Sequence, residues 1–492
     1  MGTGDKQKTV TVSRHAWFTL AILSSTLLTV FFSETMLLPA IPEIIQDFNI
    51  PYGTAAWIFS AYLIVAAVMT PVAGRLSDLY GKKKVLLTLL AIYIAGLTAG
   101  GFADNITFLL ATRIIQGVGL AAVPAAFSLL RDTFPPARLA IAIGVFGSAY
   151  SAGSVVGLLA GASIIQSFGW HATFLAIVPF SVLVTLMIAK FVKENGQNQS
   201  ITKAPKNTSD KRGGGSLPID VKGVLALSAT ITSFLIALTL IQIGISSENL
   251  PQIGTAFAAS AILLAVFVVI ERKIVPPFVD LRLLRQMILL PSYILLISTG
   301  IAMFMIYPTI VQLVRSPVPL GFGGNAVDAS NVQLSFMVMF LVFASITPFI
   351  INKIGSVRPA IIGAIISLVG GVGLLVFHST EFAVSANLAV IASGLSLTMT
   401  ATWNMVVSSS PKEFTGISVG VGALLLFIGM AIGPALAGVY MESKETVEGV
   451  QGSFPSPGSY DTVFLTAGLL SAVSLVFGLV LRRKAAKKEI KV

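Results

Sequence analysis

The chain of 492 residues contains no cysteine and only three histidines, and just 11% of it is charged. Without cysteine there is no disulfide framework, no thiolate metal site and no thiol nucleophile. A soluble globular protein carries about 25% charged residues, because charge is what its surface shows to water. So low a content excludes a water-soluble enzyme and a disordered chain. No cluster of His, Asp and Glu marks a catalytic constellation, and His15, His171 and His378 all fall in expected loops. No cofactor and no metal are expected. The chain is instead rich in hydrophobic residues, 55% of the total. Its net charge of +11 has no aromatic-interleaved basic domain behind it. The expected partner is therefore the lipid bilayer and not nucleic acid.

A helical span takes roughly 20 mostly apolar residues. Such runs occupy 17–41, 55–74, 84–102, 106–130, 139–166 and 173–192, then 221–243 and 253–270. A last group covers 288–312, 331–351, 359–377, 383–407, 416–440 and 463–481. This predicts an all-α polytopic membrane protein with fourteen transmembrane helices arranged 6 + 2 + 6. The expected organisation is an N-terminal six-helix bundle (1–193), a cytoplasmic linker (194–220), two inserted helices (221–287) and a C-terminal six-helix bundle (288–492). The polar first fifteen residues lead into an apolar run with no small-residue cleavage site, which predicts a retained first helix.

The charges test this count independently. With fourteen spans, 29 of the 32 Lys and Arg residues fall on one side of the membrane. Only Arg315 and Lys444 fall on the other, and Arg113 lies inside a span. A miscounted helix would scramble that asymmetry from its position onward. The positive-inside rule then places both termini in the cytoplasm of a multi-pass cell-membrane protein.

Of the 21 acidic residues, only Glu34 sits well within a span. A charge at membrane depth costs several kcal/mol unless it is paired or lines a watery cavity, so Glu34 and Arg113 are functional candidates. A structural ion pair that merely fixes helix packing is the alternative. If the first helix ends near Pro42 and the fourth starts at an Asn105 cap, each charge lies eight residues from the same membrane face. At 1.5 Å per residue that is roughly 12 Å, which would let the two face each other. Burial disfavours the charged form of a carboxylate and a nearby guanidinium favours it, so such a site can exchange a proton.

Three motifs stand out. Between spans two and three lies Gly74-Arg75-Leu76-Ser77-Asp78-Leu79-Tyr80-Gly81-Lys82-Lys83-Lys84, read as a tight turn with one carboxylate among cations. Span four carries Arg113-Ile114-Ile115-Gln116-Gly117-Val118-Gly119, with Arg131 and Arg138 beyond it. Span five carries Gly144, Gly153, Gly157 and Gly161. The last three repeat every four residues and form a flat stripe for close helix contact, so simple packing is an alternative to a functional role.

The first motif closely resembles the signature loop of the major facilitator superfamily, G-x-L-x-D-x-x-G-R/K-R/K. The second is similar to the superfamily's R-x-x-Q-G-x-G element. The glycine spacing in span five is similar to the G-x8-G-x3-G-P-x2-G-G of its proton-coupled antiporters, with Leu158 for the proline and Ala162 for the last glycine. The run from Ser33 to Pro42, followed by Asp47-Phe48-Asn49, looks like the first-helix region of the fourteen-helix drug and tetracycline efflux proteins. Trp57, Tyr62, Pro277-Phe278-Val279-Asp280 and Val407-Ser408-Ser409-Ser410 fit the same group. In the second half the loop after span ten has Asn352 where some relatives repeat the acidic residue, and Glu413 reads as a loop charge.

The resemblance implies two six-helix bundles with two helices inserted between them, and export powered by proton entry. Glu34 would exchange protons for substrate, with Arg113 tuning it. Gly74, Asp78, Gly81 and Lys82 with Arg131 would latch the cytoplasmic side. Tyr62, Gln116, Trp403 and Asn404 are polar or aromatic residues within spans that would line a cavity, or, for Tyr and Trp, serve as interfacial anchors. The expected partners are protons and an amphipathic small molecule, and the expected working unit is a monomer. A proton-coupled uptake permease on the same fold is the main alternative. A channel or a non-transporting sensor is a more distant one.

Overall fold

A computed structural model describes residues 12–193, 221–242, 249–274, 287–410, 415–441 and 454–487. The expected linker 194–220, the 277–280 segment and Glu413 lie outside the described residues. So do the side chains of Asp78 and Arg131, and Gly144.

The helices are α1 (Arg14–Thr35), α2 (Ile41–Phe48), α3 (Tyr52–Tyr80), α4 (Lys82–Gly100), α5 (Ile106–Leu120), α6 (Ala122–Thr133), α7 (Pro136–Phe168) and α8 (His171–Phe191). An inserted pair follows, α9 (Val221–Gln242) and α10 (Leu250–Lys273). The last group is α11 (Leu289–Arg315), α12 (Ala326–Ile354), α13 (Val357–Val376), α14 (Glu381–Ser409), α15 (Thr415–Tyr440) and α16 (Pro457–Lys487). Among the described residues, fourteen stretches are long and apolar enough to cross a membrane, with α1–α2 and α5–α6 each forming one broken span. Helices are what the composition demands. In lipid, every backbone amide and carbonyl must find its partner within the protein.

Both breaks have the same cause. Pro39 and Pro124 lack an amide hydrogen, and each ring clashes with the carbonyl four residues back. Those residues are Thr35 and Leu120, where α1 and α5 end. A 3-10 turn over Leu38–Ala40 bridges α1 to α2. The first helix therefore stops earlier than expected from its apolar run, and Glu34 sits in its last turn. Asn105 caps α5 as expected, its side chain accepting from Phe108 N at 2.8 Å. A second difference concerns the signature loop. Here α3 continues through Gly74 to Tyr80, so the polar run 75–80 is a helical extension and the turn is made by Gly81 alone. Its φ of 96° belongs to the region that side chains avoid.

Helices α1 to α8 pack among themselves, chiefly α1 on α7, α3 and α4 on α5, and α4 on α8. Helices α11 to α16 do likewise, with α11 on α15 and α16, α13 on α14 and α16, and α12 on α14. The two groups meet reciprocally, α3 against α15 and α7 against α12. Each seam thus pairs the second span of one group with the fifth of the other. The inserted α9 packs on α10 and lies across the α3–α15 seam, touching both. Trp57 Nε1 of α3 donates to Thr239 Oγ1 of α9 at 2.8 Å.

Candidate functional site

Glu34 is 3% exposed and Arg113 is fully buried. They are close enough to feel each other's charge, yet they form no ion pair. Arg113 donates from Nε to the Ile58 carbonyl at 3.0 Å and from Nη1 to Gln116 Oε1 at 2.7 Å. Gln116 in turn donates to the Gly96 carbonyl at 3.1 Å. The guanidinium lies over the Tyr62 ring, 4.2 Å from its centroid. That arrangement adds a cation–π attraction in a dry setting. Among the described residues, both oxygens of Glu34, Nη2 of Arg113 and the Tyr62 hydroxyl have no hydrogen-bond partner. The structure thus brings Glu34, Arg113, Tyr62 and Gln116 into one buried cluster. A carboxylate so placed is one whose gain or loss of a proton changes the local energy by several kcal/mol.

Residues absent from the motifs complete the surroundings. Glu34 also interacts electrostatically with Tyr93 of α4, Tyr150 of α7 and Tyr307 of α11. A chain of aromatic contacts leads from the first group into the last. Phe31 meets Tyr150 at 4.1 Å between centroids, Tyr150 meets Phe340 at 6.2 Å, Phe340 stacks on Phe336 at 6.0 Å, and Phe336 meets Tyr307 edge-on at 5.0 Å. Gln333, buried one turn from Phe336, donates to the Tyr307 carbonyl at 3.2 Å. Trp403 and Asn404 are elsewhere. Trp403 lies against Gly422 of α15, and Asn404 Oδ1 accepts from Ser356 Oγ at 2.6 Å at the start of α13. Of the signature-loop residues, Lys82 pairs with Asp132 of α6.

The glycine stripe grips the helix that carries the carboxylate. A Cβ on Gly153, Gly157 or Gly161 would collide with the backbone of Leu28, Phe32 or Met36 respectively, two successive turns of α1 and its C-cap, which bracket Glu34. Thr35 Oγ1 adds a hydrogen bond to the Ser154 carbonyl at 2.9 Å. The same device recurs in the last group. Gly429 and Gly433 of α15 abut the backbone of α11 at Ile297 and Ile301, and Gly300 abuts Leu426 in return. The letters Gly420-x8-Gly429-x3-Gly433 repeat the spacing Gly144-x8-Gly153-x3-Gly157, a repeat visible in the sequence once the two fifth spans are aligned. Gly157→Val is expected to separate α1 from α7, with the folded protein recovered from membranes falling by more than half. Gly74→Ala is expected to leave recovery unchanged, since no atom lies within 4 Å of the added carbon. Fluorescence size-exclusion profiles of the two variants check this pair of outcomes.

Away from the cation-rich loops, the opposite face is tied shut between the groups. Arg315, at the end of α11, donates from Nη1 to the Pro39 carbonyl at 2.7 Å and from Nη2 to Glu43 Oε1 at 3.1 Å. Ser60 Oγ of α3 donates to the Ala431 carbonyl at 2.8 Å, and Ser330 Oγ of α12 to the Leu158 carbonyl at 3.4 Å. Among the described residues, every hydrogen bond or ion pair joining α1–α8 to α11–α16 lies in this cation-poor half.

Comparison with known proteins agrees with this geometry. A family model described as Major Facilitator Superfamily matches residues 23–434. The chain is 26% identical over 436 residues to the tetracenomycin C resistance and export protein of Streptomyces glaucescens, covering 87% of this chain and 76% of that one. It is 25% identical to the multidrug efflux pump LfrA of Mycolicibacterium smegmatis, covering 89% and 82% of the two chains. Among solved structures, the POT family transporter PepTSo superposes with a TM-score of 0.66 at 16% identity, covering 96% of this chain and 99% of that chain. The human organic anion transporter MFSD10 does so with a TM-score of 0.62 at 14% identity, covering 95% and 99%. With a family match over most of its length and the paired-bundle fold around a buried carboxylate, the chain belongs to the major facilitator superfamily.

Proposed function

We propose that the protein is a proton-coupled exporter of amphipathic small molecules that works by alternating access as a monomer. As a member of a transporter superfamily it is a multi-pass membrane transporter and not an enzyme. Relatives that export tetracenomycin C or several drugs support a drug-efflux transporter. The observation that carries the proton-coupled reading is Glu34. It is a buried carboxylate with neither oxygen bonded, in the last turn of a broken helix, beside a guanidinium held by other partners. In this reading the cation-rich face is cytoplasmic and the residues 1–193 and 288–492 form the two rocking bundles. The Arg315 tie closes the outside, and Asp78 with Arg131 closes the inside when the outside opens. Tyr62 and Gln116 line the site through Arg113.

The energetics give a direct test. If Glu34 is the sole exchangeable site, it holds either a proton or a cationic substrate, because keeping both adds an uncompensated positive charge to a dry cavity. One monovalent cation then leaves for each proton that enters, and no net charge crosses. A membrane potential does work of about 2.3 kcal/mol per charge per 100 mV only on net charge moved. Efflux of a monocationic dye from proteoliposomes is therefore expected to follow an imposed pH gradient and to ignore a potassium-diffusion potential. Strong drive by potential alone would show a second proton site and end the single-carboxylate mechanism.

A further inference from the structure

A pocket of about 230 Å³ opens at the start of α1, lined by Ser13, His15, Ala16, Thr19, Thr133 and Lys193. It lies at the cation-rich face, where α1 begins and α6 and α8 end. Three features point to an anion. The start of α1, where Ser13 Oγ accepts from Ala16 N at 3.1 Å, contributes the positive end of its helix dipole. Lys193 supplies a cation beside the His15 ring, and among the described residues no carboxylate lines the pocket. Asp132, next to the lining Thr133, is engaged by Lys82.

The third feature is Thr19. It is 2% exposed, and among the described residues its hydroxyl makes no hydrogen bond. In the same protein, Thr29, Thr70, Thr98 and Thr133 each donate to the carbonyl four residues back, at 2.7 or 2.8 Å. Thr19 does not, and its side chain lines the pocket instead. A buried, unspent donor beside a lysine is the chemistry of an oxyanion site.

The surroundings identify the anion. Trp17 and Phe18 on α1 are each 42% exposed, and Phe191 at the end of α8 is 37% exposed. Trp17 packs edge-on against Phe134, and Phe18 against Phe191, both at 5.4 Å. Exposed aromatic rings at a helix end mark the headgroup level of a bilayer. Beyond them along α8, Leu183 and Leu186 turn apolar surface outward, as acyl chains require. Basic pockets between helices at this depth hold phospholipid headgroups. We infer that the pocket binds the phosphate of an anionic glycerophospholipid from the leaflet on the cation-rich side, with Lys193, Thr19 and the start of α1 as its ligands.

The test uses the purified full-length protein in a neutral maltoside detergent. The thermal unfolding midpoint is followed while dioleoyl phosphatidylglycerol, dioleoyl phosphatidylcholine or sodium phosphate is added in separate arms. Phosphatidylglycerol is expected to raise the midpoint by several degrees, and the other two are expected to leave it in place. Each variant is compared with its own lipid-free midpoint, so a change in basal stability does not enter. Lys193→Gln is expected to raise the half-saturating lipid concentration about fivefold, and Thr19→Val to do so in the same direction. Lys353→Gln, which removes another cation on the same face, is expected to behave as the parent. A full shift retained by both pocket variants, or no shift in the parent, would overturn the inference. A shift given equally by sodium phosphate would overturn the lipid assignment and leave a soluble-anion site.

Discussion

Glu34→Gln is expected to abolish export driven by a pH gradient and to weaken binding of a cationic substrate, while leaving the protein folded. The amide has the shape of the protonated acid and cannot give its proton up. The folded state should not suffer, because the change removes a carboxylate whose two oxygens have no partner. Glu34→Asp is expected to retain partial activity with a displaced pH optimum, since a shorter arm carries the same group to a different depth. Arg113→Gln should be more damaging to folding than Glu34→Gln, because it takes away the donors to the Ile58 carbonyl and Gln116. Dye uptake into inverted vesicles and substrate binding by fluorescence quenching separate these effects. Normal gradient-driven export by the Gln variant would remove Glu34 from the mechanism.

Arg315→Gln is expected to open the cation-poor face. The guanidinium makes two charge-assisted contacts across the groups, to the Pro39 carbonyl and Glu43. Hydrogen bonds of this kind are worth about 1.5–3 kcal/mol, enough to shift a two-state equilibrium roughly ten- to a hundredfold. Glu43→Gln should have a smaller effect, since the Pro39 contact survives it. Because the chain has no native cysteine, Ile44→Cys provides a reporter that is 0% exposed in the closed form. Labelling by a membrane-impermeant maleimide is expected to accelerate in the Arg315→Gln background, and less so with Glu43→Gln. Equal labelling rates in parent and variant would show that the tie does not hold the face closed.

Much of the fold was legible because bilayer thickness and backbone satisfaction leave few choices. Apolar length located fourteen spans, and the Asn105 cap and the embedded pair Glu34 and Arg113 followed from local chemistry. The break after Thr35 was legible only in part. Pro39 and Pro42 were in view, but the apolar run hides where the helix stops. Tyr150, Tyr307, Phe336 and Phe340 carry no local mark that separates them from lipid-facing aromatics. Their roles arise from contacts between helices far apart in sequence. Arg315 was conspicuous as one of two exceptions to the charge asymmetry, yet its partners Pro39 and Glu43 lie 276 and 272 residues away. The polar run before Gly81 reads as a loop because charge is what loops usually contain, and here a helix projecting beyond the membrane contains it too.

The strap formed by α9 across the α3–α15 seam makes the transporter's two flanks unequal. A molecule dissolved in the bilayer that approaches the paired groups from that flank meets α9 and its Trp57–Thr239 bond before it meets the seam. From the opposite flank, among the described residues, α7 and α12 face it without a third helix packed across their seam. One seam is thus covered by a third helix and the other is not, and the uncovered one runs beside Tyr150 and Phe340. The inserted pair therefore makes the paired groups asymmetric without, among the described residues, hydrogen-bonding any member of the Glu34 cluster.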